Sequence, residues 1–290
     1  MERAFQLDAT DARILMELDQ LYKRISRRHS ERLAFLRQYP ELLLQRDDLY
    51  LEHITLLNQT GAYEEAKELL DARIFHPWEG GEGKVPAQYQ TARVELAKKH
   101  LNAKEYRVAL PLLDECLFYP HHLGEGKLNG AQENDFYYFM GCAYDGLGEK
   151  EKAIDCWEKA IVGQTEPAAA IYYNDQKPDK IFYQGLALLK LNRKDEANSR
   201  FYKLVSYGEK HLFDKITMDY FAVSLPDLLI WEDDLELRNV THCKYMMSLG
   251  YLGLGEIEKS DRLLKEAEGL DINHQGIQAL RSLRRMIGNH

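Results

Sequence analysis

The 290-residue chain is 45% hydrophobic and 29% charged, a globular composition that excludes intrinsic disorder as its general state. Its formal net charge is −9, which argues against proteins that hold nucleic acid or an anionic membrane on a broad basic surface. The four cysteines stand singly with no C-x-x-C pair, and we interpret them as reduced, buried thiols.

The chain offers no recognisable targeting or membrane segment. No apolar run approaches ~20 residues, the length that a membrane span needs. The opening residues lack the basic-then-apolar layout of a signal peptide. We therefore expect a cytoplasmic protein with no membrane partner. The alternative is a piece of a longer protein in which Met1 is not the native start, because residues 3–24 read like the junction of two helical hairpins.

Residues 11–46 are predicted to form the first pair of helices. Within them "YPELLLQRDDLY" begins at Tyr39, and its Pro40 is typical of a helix start, where the missing N–H is not needed.

An internal repeat follows this pair. The stretch "TGAYEEAKELLDARIFHPWEGGEGKV" (60–85) aligns without gaps with "AKEYRVALPLLDECLFYPHHLGEGKL" (103–128). Tyr63 aligns with Tyr106, and Pro77 with Pro120. A repeat at a fixed interval of this size indicates stacked supersecondary units.

The next unit, "NDFYYFMGCAYDGLGEKEKAIDCWEKAI" from Asn134, carries a family resemblance. Its pattern of aromatic and small residues is similar to that of the tetratricopeptide repeat. In such a unit Gly141 and Ala153 are small because two antiparallel helices approach closely, while Trp157 fills space between hairpins. The resemblance implies an all-α fold, a right-handed α-solenoid of helical hairpins with extended loops between them.

The small residue of the second helix recurs along the chain and sets the predicted repeats. It stands at Ala66, Ala109, Ala153, Ala197 and Ser260. We predict one repeat domain over 1–290, with an N-terminal pair at 11–46, repeats at 47–89, 90–133, 134–177, 178–213 and 241–273, an insertion at 214–240 and a C-terminal capping helix at 274–290. The first repeats exceed the family period of ~34 residues, and the extra residues are their loops.

Three stretches carry a closer resemblance. They are "RDDLYLEHITLLNQTGAYEEA", "HPWEGGEGKV" and "LGEGKLNGAQENDFYYF". They resemble the C-terminal tetratricopeptide half of large bacterial proteins whose N-terminal half is an uncharacterised, mutarotase-like domain. The resemblance implies a bacterial source and a missing partner domain.

The glycine-rich loops do not fit a phosphate, metal or catalytic site. Lys84 is followed by Val85 and Lys127 by Leu128, whereas a phosphate-binding loop requires Ser or Thr there. The histidines of the loops lack helical ligand spacing and a third ligand. No motif of a nucleophile with its base is present. We therefore expect no cofactor, no metal and no enzymatic activity.

The loops are predicted to pack on each other. Glycines allow a compact backbone, and we expect Glu82 to pair with Lys84, and Glu125 with Lys127, within or between the loops. Trp78 is either an anchor of this packing or a ligand contact, because so large a side chain is unusual in a loop.

The second candidate surface follows from the family resemblance. Tetratricopeptide repeats usually bind a protein or peptide in a concave groove lined by the first helix of each hairpin. The positions carried over include Asp135, Tyr138, Phe182 and Tyr245, with Lys98 and His242 among the others. The Lys and Asn pattern that captures a peptide C-terminus is missing. The alternative is that the protein itself fills part of this groove.

We therefore predict a non-catalytic interaction or scaffolding module that binds a protein or peptide partner, and no nucleic acid, through the concave groove. The second hypothesis is an accessory domain of a carbohydrate-active protein, whose loops contact sugar or a linked catalytic domain. The exposure of Trp78 separates the two: exposed beside acidic groups it favours the second, and buried under the next hairpin it leaves only scaffolding.

Overall fold

The computed structural model describes residues 1–169, 175–217 and 234–287, and this part of the chain is helical without a strand. The helices are α1 (Glu2–Leu7), α2 (Ala12–Arg24), α3 (His29–Leu36), α4 (Pro40–Leu43), α5 (Asp47–Thr60), α6 (Tyr63–Ala72), α7 (Lys84–Asn102), α8 (Tyr106–Glu115), α9 (Asn134–Gly146), α10 (Lys150–Ala160), α11 (Pro178–Lys190), α12 (Lys194–His211), α13 (Leu235–Gly253), α14 (Ile257–Leu270) and α15 (Gln275–Ile287). None of these helices is both long and apolar enough to cross a bilayer.

The helix ends follow from local sequence. Asp11 caps α2, because its carboxylate accepts hydrogen bonds from the backbone N–H groups of Arg13 and Ile14. Gly61 ends α5 with φ +84° and Gly148 follows α9 with φ +78°, conformations that glycine adopts without strain. Sharp ends of this kind leave short turns, so α5 folds back on α6 and α9 folds back on α10.

Consecutive helices pair as hairpins. The pairs α5 with α6, α9 with α10, α11 with α12, and α13 with α14 pack on each other. The fold is therefore all-α and of the α-solenoid class, as the sequence predicts. The predicted insertion at 214–240 lies mostly outside the described residues, and α13 already begins at Leu235 within it.

Trp157 packs on Gly141 of its own hairpin, and it also faces the next hairpin, because the Lys190 ammonium of α11 lies 5.5 Å from the centre of its ring. A Cβ placed on Gly141 would stand 2.5 Å from Cδ1 of the Trp157 indole. The indole Nε1 donates to the carbonyl oxygen of Tyr138 at 3.3 Å. Tyr106 of α8 also reaches the next hairpin, since a Cβ on Gly146 of α9 would lie 2.5 Å from its ring. Tyr106 is thus one of the large aromatic side chains that link successive hairpins.

The described residues divide into two compact units. Unit 1 contains residues 1–93 and 119–126, and unit 2 contains residues 94–118, 127–169, 175–217 and 234–287. Each has its own apolar core, centred on helices α2, α3 and α5 in unit 1 and on α9, α11 and α13 in unit 2.

Unit 1 also contains a buried ion cluster. Arg32 lies between Asp19, at 2.6 Å, and Glu52, at 2.7 Å, and Lys23 lies 3.2 Å from Glu52. Although burial opposes its ionisation, the two cations hold the pKa of Glu52 down at about 2. Glu52 is therefore a nearly buried carboxylate that is satisfied by two cations at once.

Candidate interaction surfaces

The two glycine-rich loops touch each other within unit 1. The N–H of Phe75 donates to the carbonyl oxygen of His122 at 2.8 Å. The N–H of Gly83 donates to the Glu125 carboxylate, also at 2.8 Å. Gly124 has φ +74°, and a Cβ there would stand 2.6 Å from the oxygen of Phe75. Glycine at position 124 thus allows the second loop to lie directly against the backbone of the first.

Glu125 and Lys127, expected to pair with each other, are recorded with other partners. Glu125 accepts from the backbone of Gly83, whereas Lys127, in unit 2, lies against the carboxylate of Glu133 and donates to the Leu117 oxygen at 2.9 Å. Lys84 is the first residue of α7 and is exposed. A backbone N–H is a fixed donor, so it holds the Glu125 carboxylate without ordering a long lysine side chain.

Trp78 is half-buried. Its indole lies over Gly81, where a Cβ would stand 2.5 Å from Cδ2 of the ring, and it packs against the core of unit 1. The side chain is therefore an anchor of the loop on one face and open on the other. This intermediate exposure agrees with both hypotheses for Trp78, an anchor of the loop packing and a ligand contact.

A pocket of about 320 Å³ opens beside Trp78. Its lining residues are His76, Pro77, Trp78, Glu79, Gly81, Glu82, Val85, Leu123 and Glu125. Three of these carry carboxylates, and no Lys or Arg occurs among the described residues of the lining. Burial, and to a lesser extent the charge of Glu82, raises the pKa of Glu125. The pocket therefore combines an aromatic face with a negative potential.

The groove residues lie in unit 2 and are buried. Asp135 of α9 forms an ion pair with Lys180 of α11. Burial raises the pKa of Asp135. Burial opposes the charge of Lys180, but the nearby carboxylates of Asp135 and Asp179 together outweigh it and raise the pKa of Lys180. Tyr138, Phe182 and Tyr245 are each less than 10% exposed. These four candidates therefore come together in the fold, but none presents its side chain to solvent.

The C-terminal helix α15 covers this groove. Its residues Ile277, Leu280 and Leu283 are buried in the core of unit 2. At one side Lys98 of α7 donates to the carbonyl oxygen of Ala279 at 3.0 Å. At the other, a Cβ on Gly276 would lie 2.7 Å from the Tyr245 ring of α13. Helix α15 thus reaches between the first helices of two separate repeats.

Residues that follow α10 cover another part of the groove. The imidazole Nε2 of His242 lies 2.9 Å from the carbonyl oxygen of Ala168. Burial lowers the pKa of His242 to about 4, so this imidazole is neutral at pH 7 and donates to that oxygen. Within unit 2, residues of the chain itself thus cover these positions, as the alternative of a self-filled groove expects.

Sequence reasoning missed the position of α15, although a signal for it was present. Ile277, Leu280 and Leu283 recur every three residues, which indicates one buried helix face. The pattern does not say which surface buries that face. Within the described residues, no three His, Cys, Asp or Glu side chains group as metal ligands do.

A family model described as the tetratricopeptide repeat matches residues 135–161. The solved structure "MamA RS-1 ArsTM double mutant" is 18% identical, with a TM-score of 0.37, over 69% of this chain and 95% of its own. A putative kinesin light chain of Podosopora anserina with nearly identical TPR-like repeats is 14% identical, with a TM-score of 0.31, over 78% of this chain and 94% of its own. At these values neither structure carries an argument about function. The matched segment coincides with the hairpin of α9 and α10, so this hairpin is similar to a tetratricopeptide repeat.

Proposed function

We propose that the chain is a non-catalytic protein-interaction module, and that unit 2 binds an amphipathic helix of a partner protein in its concave groove. The observation that carries this proposal is α15, because the groove already holds a helix of that kind. Ile277, Leu280 and Leu283 form one apolar stripe on it. A surface that accepts such a stripe in cis has the shape and the apolar side chains to accept one in trans.

Helix α15 is held at its polar face by ion pairs. Arg281 pairs with Glu268, and Arg284 pairs with Asp261, both of α14. These pairs are partly exposed, so each contributes little to the stability of the fold. Together with the buried apolar stripe they keep α15 in place, and a partner helix has to compete with it. The apparent affinity for a partner is then reduced by the fraction of molecules in which the groove is open.

The test uses a labelled peptide with the sequence of residues 275–287 and fluorescence anisotropy. In the variant R281E/R284E the ion pairs to α14 become repulsions, and we expect the peptide to bind at least about tenfold more tightly than it binds wild type. The variant K259E/R262E is the matched control, because it makes the same charge change on exposed residues of α14. A scrambled peptide of equal composition controls for charge alone.

Hydrogen exchange tests independently whether α15 leaves the groove in the R281E/R284E variant. We expect its amides to exchange faster in R281E/R284E, while those of α13 stay protected. If the released groove binds no peptide, or if α15 remains as protected as α13, the proposal is wrong.

A second candidate function rests on the half-exposed Trp78 and the acidic pocket beside it. In this alternative the loops contact a sugar or a linked catalytic domain, because an aromatic face next to carboxylates suits a sugar ring and its hydroxyl groups. Calorimetric titration with mono- and oligosaccharides separates the candidates. Sugar binding that is lost in Trp78→Ala supports the second function, whereas no binding to either variant contradicts it.

A further inference from the structure

The groove of unit 2 contains a buried pair of opposite charges directly beneath α15. Glu95 and Lys98 of α7 are 5% and 3% exposed. The Lys98 ammonium lies 2.6 Å from Oε1 of Glu95 and 3.0 Å from the carbonyl oxygen of Ala279. One nitrogen therefore joins the Glu95 carboxylate to the backbone of α15.

The other carboxylate oxygen of Glu95 is unsatisfied. Among the described residues, Oε2 of Glu95 has no hydrogen-bond partner, although it is buried. A buried carboxylate oxygen without a donor destabilises the state that contains it. Helix α15 places alanine at position 279, which has no donor to offer. Helix α15 thus leaves Oε2 of Glu95 without a hydrogen-bond donor.

Unit 1 contains a nearly buried carboxylate that accepts hydrogen bonds from two cations. In unit 1, Glu52 accepts from Lys23 at 3.2 Å and from Arg32 at 2.7 Å. A nearly buried glutamate in this protein is thus stabilised by two cations, while Glu95 forms an ion pair with one, Lys98, among the described residues. Asp135 and Arg285, which are opposite in charge, both act on Lys98 from nearby.

We propose that Glu95 is a specificity-determining residue of the groove, and that it selects a partner helix carrying Lys or Arg at the position that Ala279 occupies in α15. This inference rests on the proposed function of the groove and adds to it the chemistry of the partner. The partner's cation donates to Oε2 of Glu95, and its apolar stripe replaces that of α15. A partner with this residue gains a charge-assisted hydrogen bond that α15 lacks, and it therefore displaces α15.

The experiment compares three peptides on the full-length R281E/R284E protein. They have the sequence of residues 275–287 unchanged, with Ala279→Lys, or with Ala279→Glu. We expect the Ala279→Lys peptide to bind about tenfold more tightly than the unchanged one, the gain of one hydrogen bond to a charged group, and the Ala279→Glu peptide to bind more weakly. Lysine costs a helix little relative to alanine, so helicity does not explain a difference of this size.

The Glu95→Gln variant in the same background tests the residue itself. Its amide still accepts from Lys98, but it presents a donor where Oε2 stood, so we expect the preference for the Ala279→Lys peptide to fall below about twofold. Glu151→Gln is the control, since Glu151 is exposed on α10 and the charge change is the same. If Glu95 affected only the stability of the protein, Glu95→Gln would weaken the binding of all three peptides equally.

The outcomes distinguish the two proposals. If no peptide binds, the proposed function of the groove is wrong. If the three peptides bind with equal affinity, or if Glu151→Gln removes the preference as well as Glu95→Gln does, the groove binds helices and Glu95 does not select among them.

Discussion

Trp157 packs against Gly141 so closely that a Cβ on the glycine would stand 2.5 Å from Cδ1 of the indole. The indole is 5% exposed, and its Nε1 donates a hydrogen bond to the carbonyl oxygen of Tyr138. A side chain at position 141 thus has no space into which it can displace the ring. This contact joins α9 to α10 within one hairpin.

We expect Gly141→Ala to destabilise the protein by about 1–3 kcal/mol, because overpacking against Trp157 outweighs the better helix propensity of alanine. Urea unfolding followed by circular dichroism measures the change. Gly269→Ala is the matched control: Gly269 lies near the end of α14 with nothing within 4 Å of its Cβ position. That control is expected to be neutral or slightly stabilising, and an equal loss in both variants would contradict the packing argument.

The contact between the loops depends on Gly124. Gly124→Ala introduces strain at φ +74° and a Cβ 2.6 Å from the Phe75 oxygen, so we expect a loss of about 1–3 kcal/mol and faster hydrogen exchange at the Phe75 amide. Gly126→Ala lies two residues away with nothing within 4 Å and no positive φ. Little change is expected there. Unchanged protection of Phe75 in Gly124→Ala would show that the loops do not depend on this glycine.

The sequence predicted the hairpins because the residues that define them are local. Gly148 ends a helix, and Gly141 allows a close approach, wherever such a unit occurs. A local pattern of this kind could not predict the contacts between segments that are distant in the sequence. The spacing of Ile277, Leu280 and Leu283 indicates a buried face, but the surface that receives it includes Lys98, far away in the chain.

The candidate site shows the same division. The repeat correctly indicated that the two loops lie together, since equal loops at equal intervals emerge at one edge. It did not indicate that Gly83 would hold Glu125, because a backbone donor leaves no trace in the pattern of side chains. The pair of Glu95 and Lys98 was equally hidden, since a charged pair on a helix is usually exposed.

The stability of the protein is expected to depend on His242 between about pH 4 and pH 6.5. Burial lowers the pKa of His242 to about 4 in the folded protein, whereas the unfolded chain titrates near 6.5. The unfolded state therefore binds more protons, and stability falls as the pH decreases through this window, by up to about 3 kcal/mol. Urea unfolding at several pH values measures the slope for wild type and for His242→Gln.

We expect the slope to be smaller in His242→Gln, though not zero, because burial also lowers the pKa of His274. The difference between the two slopes isolates His242, since both proteins share all other titrating groups. Parallel slopes over pH 4–6.5 would show that His242 is not held neutral in the folded protein.

The ion pair of Asp135 and Lys180 is expected to contribute little net stability, but the loss of only one of its members is expected to destabilise the protein strongly. Removing one partner in Lys180→Met leaves a buried carboxylate uncompensated, and we expect a loss of about 3–5 kcal/mol in urea unfolding. The double variant Asp135→Leu with Lys180→Met removes both charges and should recover most of that loss, because it restores an apolar contact of similar volume. Lys190→Met, at an exposed residue of the same helix, is the control. If the double variant is as unstable as Lys180→Met alone, the pair itself contributes strongly to stability and the argument from desolvation is wrong.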